Sequence, residues 1–151
     1  MKKIISFSAL ALIGILLVAA CHKAPDHVID AGSMTATAGG ASFNSVTCYE
    51  NFVLSNTNDF YIKGTGTDAN TFIVLRLRGT RIYSGDYLID ITDSINGAWY
   101  VQNGTSWQAR NGKVTVTYDS AGIATSGSFN FNTFHGDNAS GNFRAVFRQY
   151  Y

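Results

Sequence analysis

Apolar residues recur at every second position through most of this chain. A period of two puts side chains on one common face only when the backbone is extended. Met34, Ala36 and Ala38 alternate with Thr35 and Thr37, and Phe60, Ile62 and Gly64 alternate with Tyr61 and Lys63. Ile73, Leu75 and Leu77 face one way and Arg76 and Arg78 the other; Phe72 and Val74 share the arginine side, so that face is expected to be partly covered. Val114, Val116 and Tyr118 form another row, and Phe143, Ala145 and Phe147 alternate with Arg144, Val146 and Arg148. Gly127, Phe129 and Phe131 are expected to face a core, with Ser128, Asn130 and Asn132 facing water. Turn residues punctuate these runs at Gly39-Gly40, Thr67-Asp68-Ala69-Asn70, Ser84-Gly85-Asp86 and Asp119-Ser120-Ala121-Gly122. Asn111-Gly112 predicts a tight hairpin. No stretch from Met34 onward has the 3.6-residue period of a long amphipathic helix. The expectation is an all-β domain, an antiparallel β-sandwich or a closed β-barrel, with roughly nine or ten short strands. The final run stops almost directly at Arg148-Gln149-Tyr150-Tyr151, which predicts an interior last strand.

The first residues have a different character. Lys2 and Lys3 precede an apolar run from Ile4 to Leu17, which closes on Val18-Ala19-Ala20-Cys21. The run falls short of the roughly 20 residues of a permanent membrane helix. It resembles the signal peptide of a bacterial lipoprotein, with Val18 to Cys21 as the lipobox. The resemblance implies cleavage before Cys21, lipid attachment at Cys21 and a membrane anchor through that lipid. The organisation expected is then a signal peptide over 1–20, a lipidated cysteine and flexible tether over 21–33, and a single β domain over 34–151. Removing 1–20 takes away Lys2 and Lys3, leaving nine basic residues against ten acidic ones. That balance argues against a nucleic-acid partner. Cys48 is then the only free thiol, expected to be a small buried apolar side chain, and an internal disulfide is excluded.

Beyond the leader, the body resembles a group of small, functionally uncharacterised lipoproteins of Bacteroidetes-type bacteria. The residues that carry the likeness are Met34-Thr35-Ala36 with Gly39-Gly40 and Phe43, Ile62-Lys63-Gly64-Thr65 before the apolar run Thr71 to Leu77, and Ser84 to Leu88. Gly112 to Tyr118, Ser126 to Phe131 and Gly141-Asn142-Phe143 complete it. The resemblance implies an all-β lipoprotein body and assigns no catalytic residue. Asp93-Ser94-Ile95 and Asp119-Ser120-Ala121 resemble the short O-glycosylation motif of exported proteins from such bacteria, which makes Ser94 and Ser120 candidate glycan acceptors.

Residues with chemistry are sparse. His135 is the only histidine of the body, and no Gly-x-Ser-x-Gly elbow accompanies it, so hydrolytic catalysis of the triad type is not expected. Asp86, Asp90 and Asp93 lie close in sequence, but no twelve-residue calcium loop frames them and turn-forming roles account for all three. Glu50 is the single glutamate of the body. Neither a metal, nor a cofactor, nor a catalytic set is expected. The best binding candidate is the aromatic stretch with Trp99, Tyr100, Gln102, Asn103 and Trp107, whose rings suit sugar faces while the amides, with Gln108, suit hydroxyls. The bland alternative puts Trp99 in the core and Trp107 over a barrel end or sandwich edge.

The function expected is that of a non-enzymatic, lipid-anchored protein of the bacterial cell envelope, most naturally at the outer membrane, binding an envelope protein or a glycan. The sequence leaves periplasmic and surface display both open. Two rival expectations are a lipocalin-like carrier of an apolar ligand and a structural subunit of an outer-membrane assembly.

Overall fold

The computed structural model describes residues 31–53, 58–79, 82–92, 95–118 and 124–147. Cys21, Asp93, Ser94, Ser120, the turn at 119–122 and most of the tether lie outside them. The described residues form ten strands and no helix. In chain order these are β1 (Ser33–Ala38), β2 (Ala41–Asn44), β3 (Thr47–Val53), β4 (Asp59–Thr65), β5 (Phe72–Arg78), β6 (Gly85–Asp90), β7 (Gly97–Gln102), β8 (Thr105–Tyr118), β9 (Ala124–Thr133) and β10 (Asn138–Phe147).

Seven strands close into a barrel in the order β10-β3-β4-β5-β7-β8-β9, and β1, β2 and β6 lie outside the ring. All the pairings are antiparallel except the short parallel join of β3 with β10, Tyr49 opposite Val146 and Glu50 opposite Phe147. Two long strands each share one edge between two neighbours. β8 pairs β7 through Thr105 to Gln108 and β6 through Asn111 to Val116. β10 pairs β1 through Ala139 to Arg144 and β3 through Val146 and Phe147. Along each of these two strands the ring passes from one neighbour to the next while a strand outside it continues the same edge. β10 is bonded along both edges, as an interior last strand requires.

Turn chemistry explains the local path. Gly39 and Gly40, at φ 57° and 79°, make the two-residue β1–β2 hairpin. Asn103 and Gly104, at φ 51° and 80°, make the equivalent turn between β7 and β8. Asp68 holds the β4–β5 turn, its carboxylate accepting from the Asn70 amide at 3.0 Å. The hairpin expected at Asn111-Gly112 does not form; both residues lie inside β8. The register slips there, between Ala109 and Asn111, where β8 exchanges β7 for β6. A bulge bends the strand around the corner. Gly112 lies opposite Phe131, and a Cβ on it would come within 2.5 Å of the Phe131 Cβ.

The alternation places the core where the sequence indicates. Ile62, Ile73, Leu75, Leu77, Val114 and Phe131 have no exposed surface and fill the centre of the ring. Each such burial contributes roughly 1.5–3 kcal/mol. Phe72, Val74, Arg76 and Arg78 remain half-buried on the outer face of β5. β1 begins at Ser33, and the Ala31 carbonyl already accepts from the Cys48 amide at 2.6 Å, so the last residues of the expected tether are bonded to the body.

Candidate functional site

The strand parity of β7 divides the aromatic stretch between two sides of the sheet. Trp99 points outward, opposite Val74 on β5 and Gln108 on β8. Tyr100 points inward, is buried, and stacks on Trp107 with ring centroids 5.5 Å apart. Trp107 packs against the core from β8. Gln102 is half-buried at the end of β7 and Asn103 is exposed in the turn. The Asn103 amide reaches the Thr71 hydroxyl at 3.4 Å, tying that turn to the one between β4 and β5. The structure thus brings Tyr100 together with Trp107, and Trp99 with a different set of residues.

That set is a row of side chains on the outer face of β4, β5 and β7. Tyr61, Phe72, Val74, Arg76, Trp99 and Val101 line a shallow open groove of about 560 Å³, closed at one side by Gly104 and Ser106. The Trp99 ring folds back along its own strand over Gly97, where any side chain would meet it. The Arg76 guanidinium sits 5.5 Å from the Trp99 ring centroid, and the Lys63 ammonium 4.1 Å from that of Phe72. A second groove of about 380 Å³ continues across Tyr61 and Val74 to Tyr49, Asn51 and Lys63. Flat rings flanked by amides and cations can stack on apolar faces of a ligand while hydrogen-bonding its edges.

A different recess lies at one end of the ring. It encloses about 610 Å³ and is lined by Glu50, Phe60, Ile82, Tyr83, Tyr118, Ala124, Thr125 and Phe147. Glu50 is 5% exposed and hydrogen-bonded to Thr125, itself fully buried. Burial pushes the Glu50 carboxyl above its ordinary range, and the Thr125 hydrogen bond opposes the shift in part. On the same strand and face, burial, and after it the charge of Glu50, pushes the Cys48 thiol up to about 12. Cys48 is therefore the inert core thiol that its surroundings suggest, not a nucleophile.

The other titratable residues have local partners. Asp86 accepts from Thr115 at 2.7 Å and from Lys113 at 2.9 Å, bonds that hold its carboxyl below the usual range. Asp90 accepts from the backbone and hydroxyl of Thr92, which lowers it likewise and shapes the turn after β6. Among the described residues no three His, Cys, Asp or Glu side chains converge as a metal site would need. His135 is exposed in the β9–β10 turn. Asp59 is as buried as Glu50 but lies on the outer face beside Arg78, 3.5 Å away. Among the described residues, the two buried carboxyls thus stand on opposite faces of one sheet.

Sequence reasoning reached Trp99 and missed its neighbours Tyr61 and Phe72, although the placement of Phe72 with the arginines was the usable signal. The end recess was missed altogether. Its signals were the parity of Glu50 with Cys48 and the aromatic ends of β8 and β10. Comparison of the chain with protein-family models, curated proteins and solved structures gives no match.

Proposed function

We propose that this chain is a non-enzymatic, lipid-anchored protein of the bacterial cell envelope whose β body binds an envelope glycan on the outer face of β4, β5 and β7. The leader ending in Cys21 supports the anchor and the location. The observation that carries the binding reading is the outward orientation of Trp99. Its ring joins Tyr61, Phe72, Val74 and Val101 in an open groove rather than in the core. A contiguous apolar patch on an exterior sheet face marks an interaction site. Sugar rings present apolar faces that stack on aromatics, and the exposed Gln108, in register with Trp99, offers an amide to their hydroxyls.

A glycan array probed with the full chain in detergent tests the proposal. Specific glycan binding is expected, and Trp99→Ala is expected to weaken it by about tenfold or more, equivalent to roughly 1.4 kcal/mol. The far-ultraviolet circular dichroism and melting transition of the variant should stay close to those of the parent. An array without specific binding, or binding indifferent to Trp99→Ala, overturns the reading. The rival carrier reading has the end recess to work with, since the centre of the ring is filled.

A further inference from the structure

The end recess is separate from the Trp99 groove, and its lining has a distinctive chemistry. One buried carboxyl, Glu50, lies at its wall, and neither lysine, arginine nor histidine is among the described residues that line it. Three aromatic side chains line it while staying open to solvent: Tyr83 at 63% exposure, Phe147 at 49% and Tyr118 at 45%. Phe60 and Ile82 extend the apolar wall inward.

The rim is held in place. The Tyr87 hydroxyl accepts from the Tyr83 amide at 2.9 Å and donates to the Tyr83 carbonyl at 3.0 Å. The Tyr118 amide donates to the Ser84 hydroxyl at 2.9 Å, joining the segment before β6 to the end of β8. Tyr83 and Tyr118 are therefore presented by backbone fixed on two sides, which lowers the ordering cost of binding.

An anionic ligand would meet the Glu50 carboxylate with no counter-charge among the described lining residues. A neutral apolar ligand would leave the carboxyl unused and buried. A cation gains from both kinds of group present, the carboxylate and the aromatic faces. The Thr125 hydroxyl supplies a second hydrogen bond, which an ionised buried carboxylate needs. We propose that the recess is a binding site for a small organic ammonium ion carrying an apolar group, with Glu50 as its counter-ion and Tyr83, Tyr118 and Phe147 around it.

Isothermal titration of the full chain in nanodiscs tests this with three probes of similar size: phenethylammonium, phenethyl alcohol and phenylacetate. Empty nanodiscs supply the partitioning blank. Phenethylammonium is expected to bind at least about tenfold more tightly than the other two, a difference of roughly 1.4 kcal/mol. Glu50→Gln keeps the shape and hydrogen-bonding capacity and is expected to abolish that preference. Tyr118→Leu keeps the apolar surface but removes a ring face, and should cost the ammonium about threefold or more. Equal binding of the alcohol or of phenylacetate, absence of ammonium binding, or a preference that survives Glu50→Gln in a folded protein overturns the proposal. Trp99→Ala should leave phenethylammonium binding unchanged, which separates this site from the groove.

Discussion

Glu50 stands in register with Ile62 on one side and Phe147 on the other, so its ionisation places a charge between two apolar partners. The folded chain therefore keeps the Glu50 proton at a pH where an unfolded glutamate, with an ordinary value of 4.5, gives it up. Over the window from 4.5 upward to the raised folded value, the folded state binds more protons than the unfolded state. Stability contributed by the neutral carboxyl is complete below that window and is lost as pH rises through it, by up to about 1.4 kcal/mol per pH unit. Urea unfolding measured across that range should show this fall, and Glu50→Gln should remove it while raising stability above the window. A variant with the same slope as the parent would contradict the assignment. Glu50 stood out in the sequence as the single glutamate of the body. Its inward direction was also legible, because Cys48 lies two residues before it. Its apolar neighbours were not, because Ile62 and Phe147 arrive from other strands.

At the scale of elements, three Asn-Gly pairs look alike in sequence: Asn96-Gly97, Asn103-Gly104 and Asn111-Gly112. Only the second makes a two-residue hairpin. The third sits where β8 turns a corner, and the first opens β7 beneath the Trp99 ring. Local preference is the same in all three, so the choice is made by the strands that arrive alongside, which no local window contains. Two alanine substitutions separate the cases. Gly104→Ala meets open space and carries only the strain of its positive φ, about 1 kcal/mol. Gly112→Ala drives a Cβ into Phe131 and the Asn130 carbonyl, and should cost about 1–3 kcal/mol, the larger loss of the two. Equilibrium denaturation of both variants checks the order. The alternation was legible along each regular run, including the half-covered arginine face of β5, but not the slip between Ala109 and Asn111 or the exposure of Tyr118 and Phe147 at the ends of their rows. The split of Trp99 from Tyr100 follows from the same parity, but which of the two faces the core depends on the curvature of the sheet.

For the whole molecule, the sequence pattern left sandwich and barrel open because the two differ only in whether distant edges meet. They meet through β3 with β10, a join that spans most of the described chain. β10 carries three pairings at once, with β1, β3 and β9. Deleting residues 138–151 should therefore remove cooperative thermal unfolding altogether, rather than lower the midpoint, and leave a chain that aggregates through its open edges. A sharp melting transition in the truncated protein would show that the remaining strands suffice. Time enters here. A chain that emerges from a ribosome or a translocation channel beginning with its first residues has every other described strand available before the one that closes the ring. The edges of β1, β3 and β9 then wait together for one partner. Late closure of this kind places the body's moment of greatest stickiness just before β10 appears.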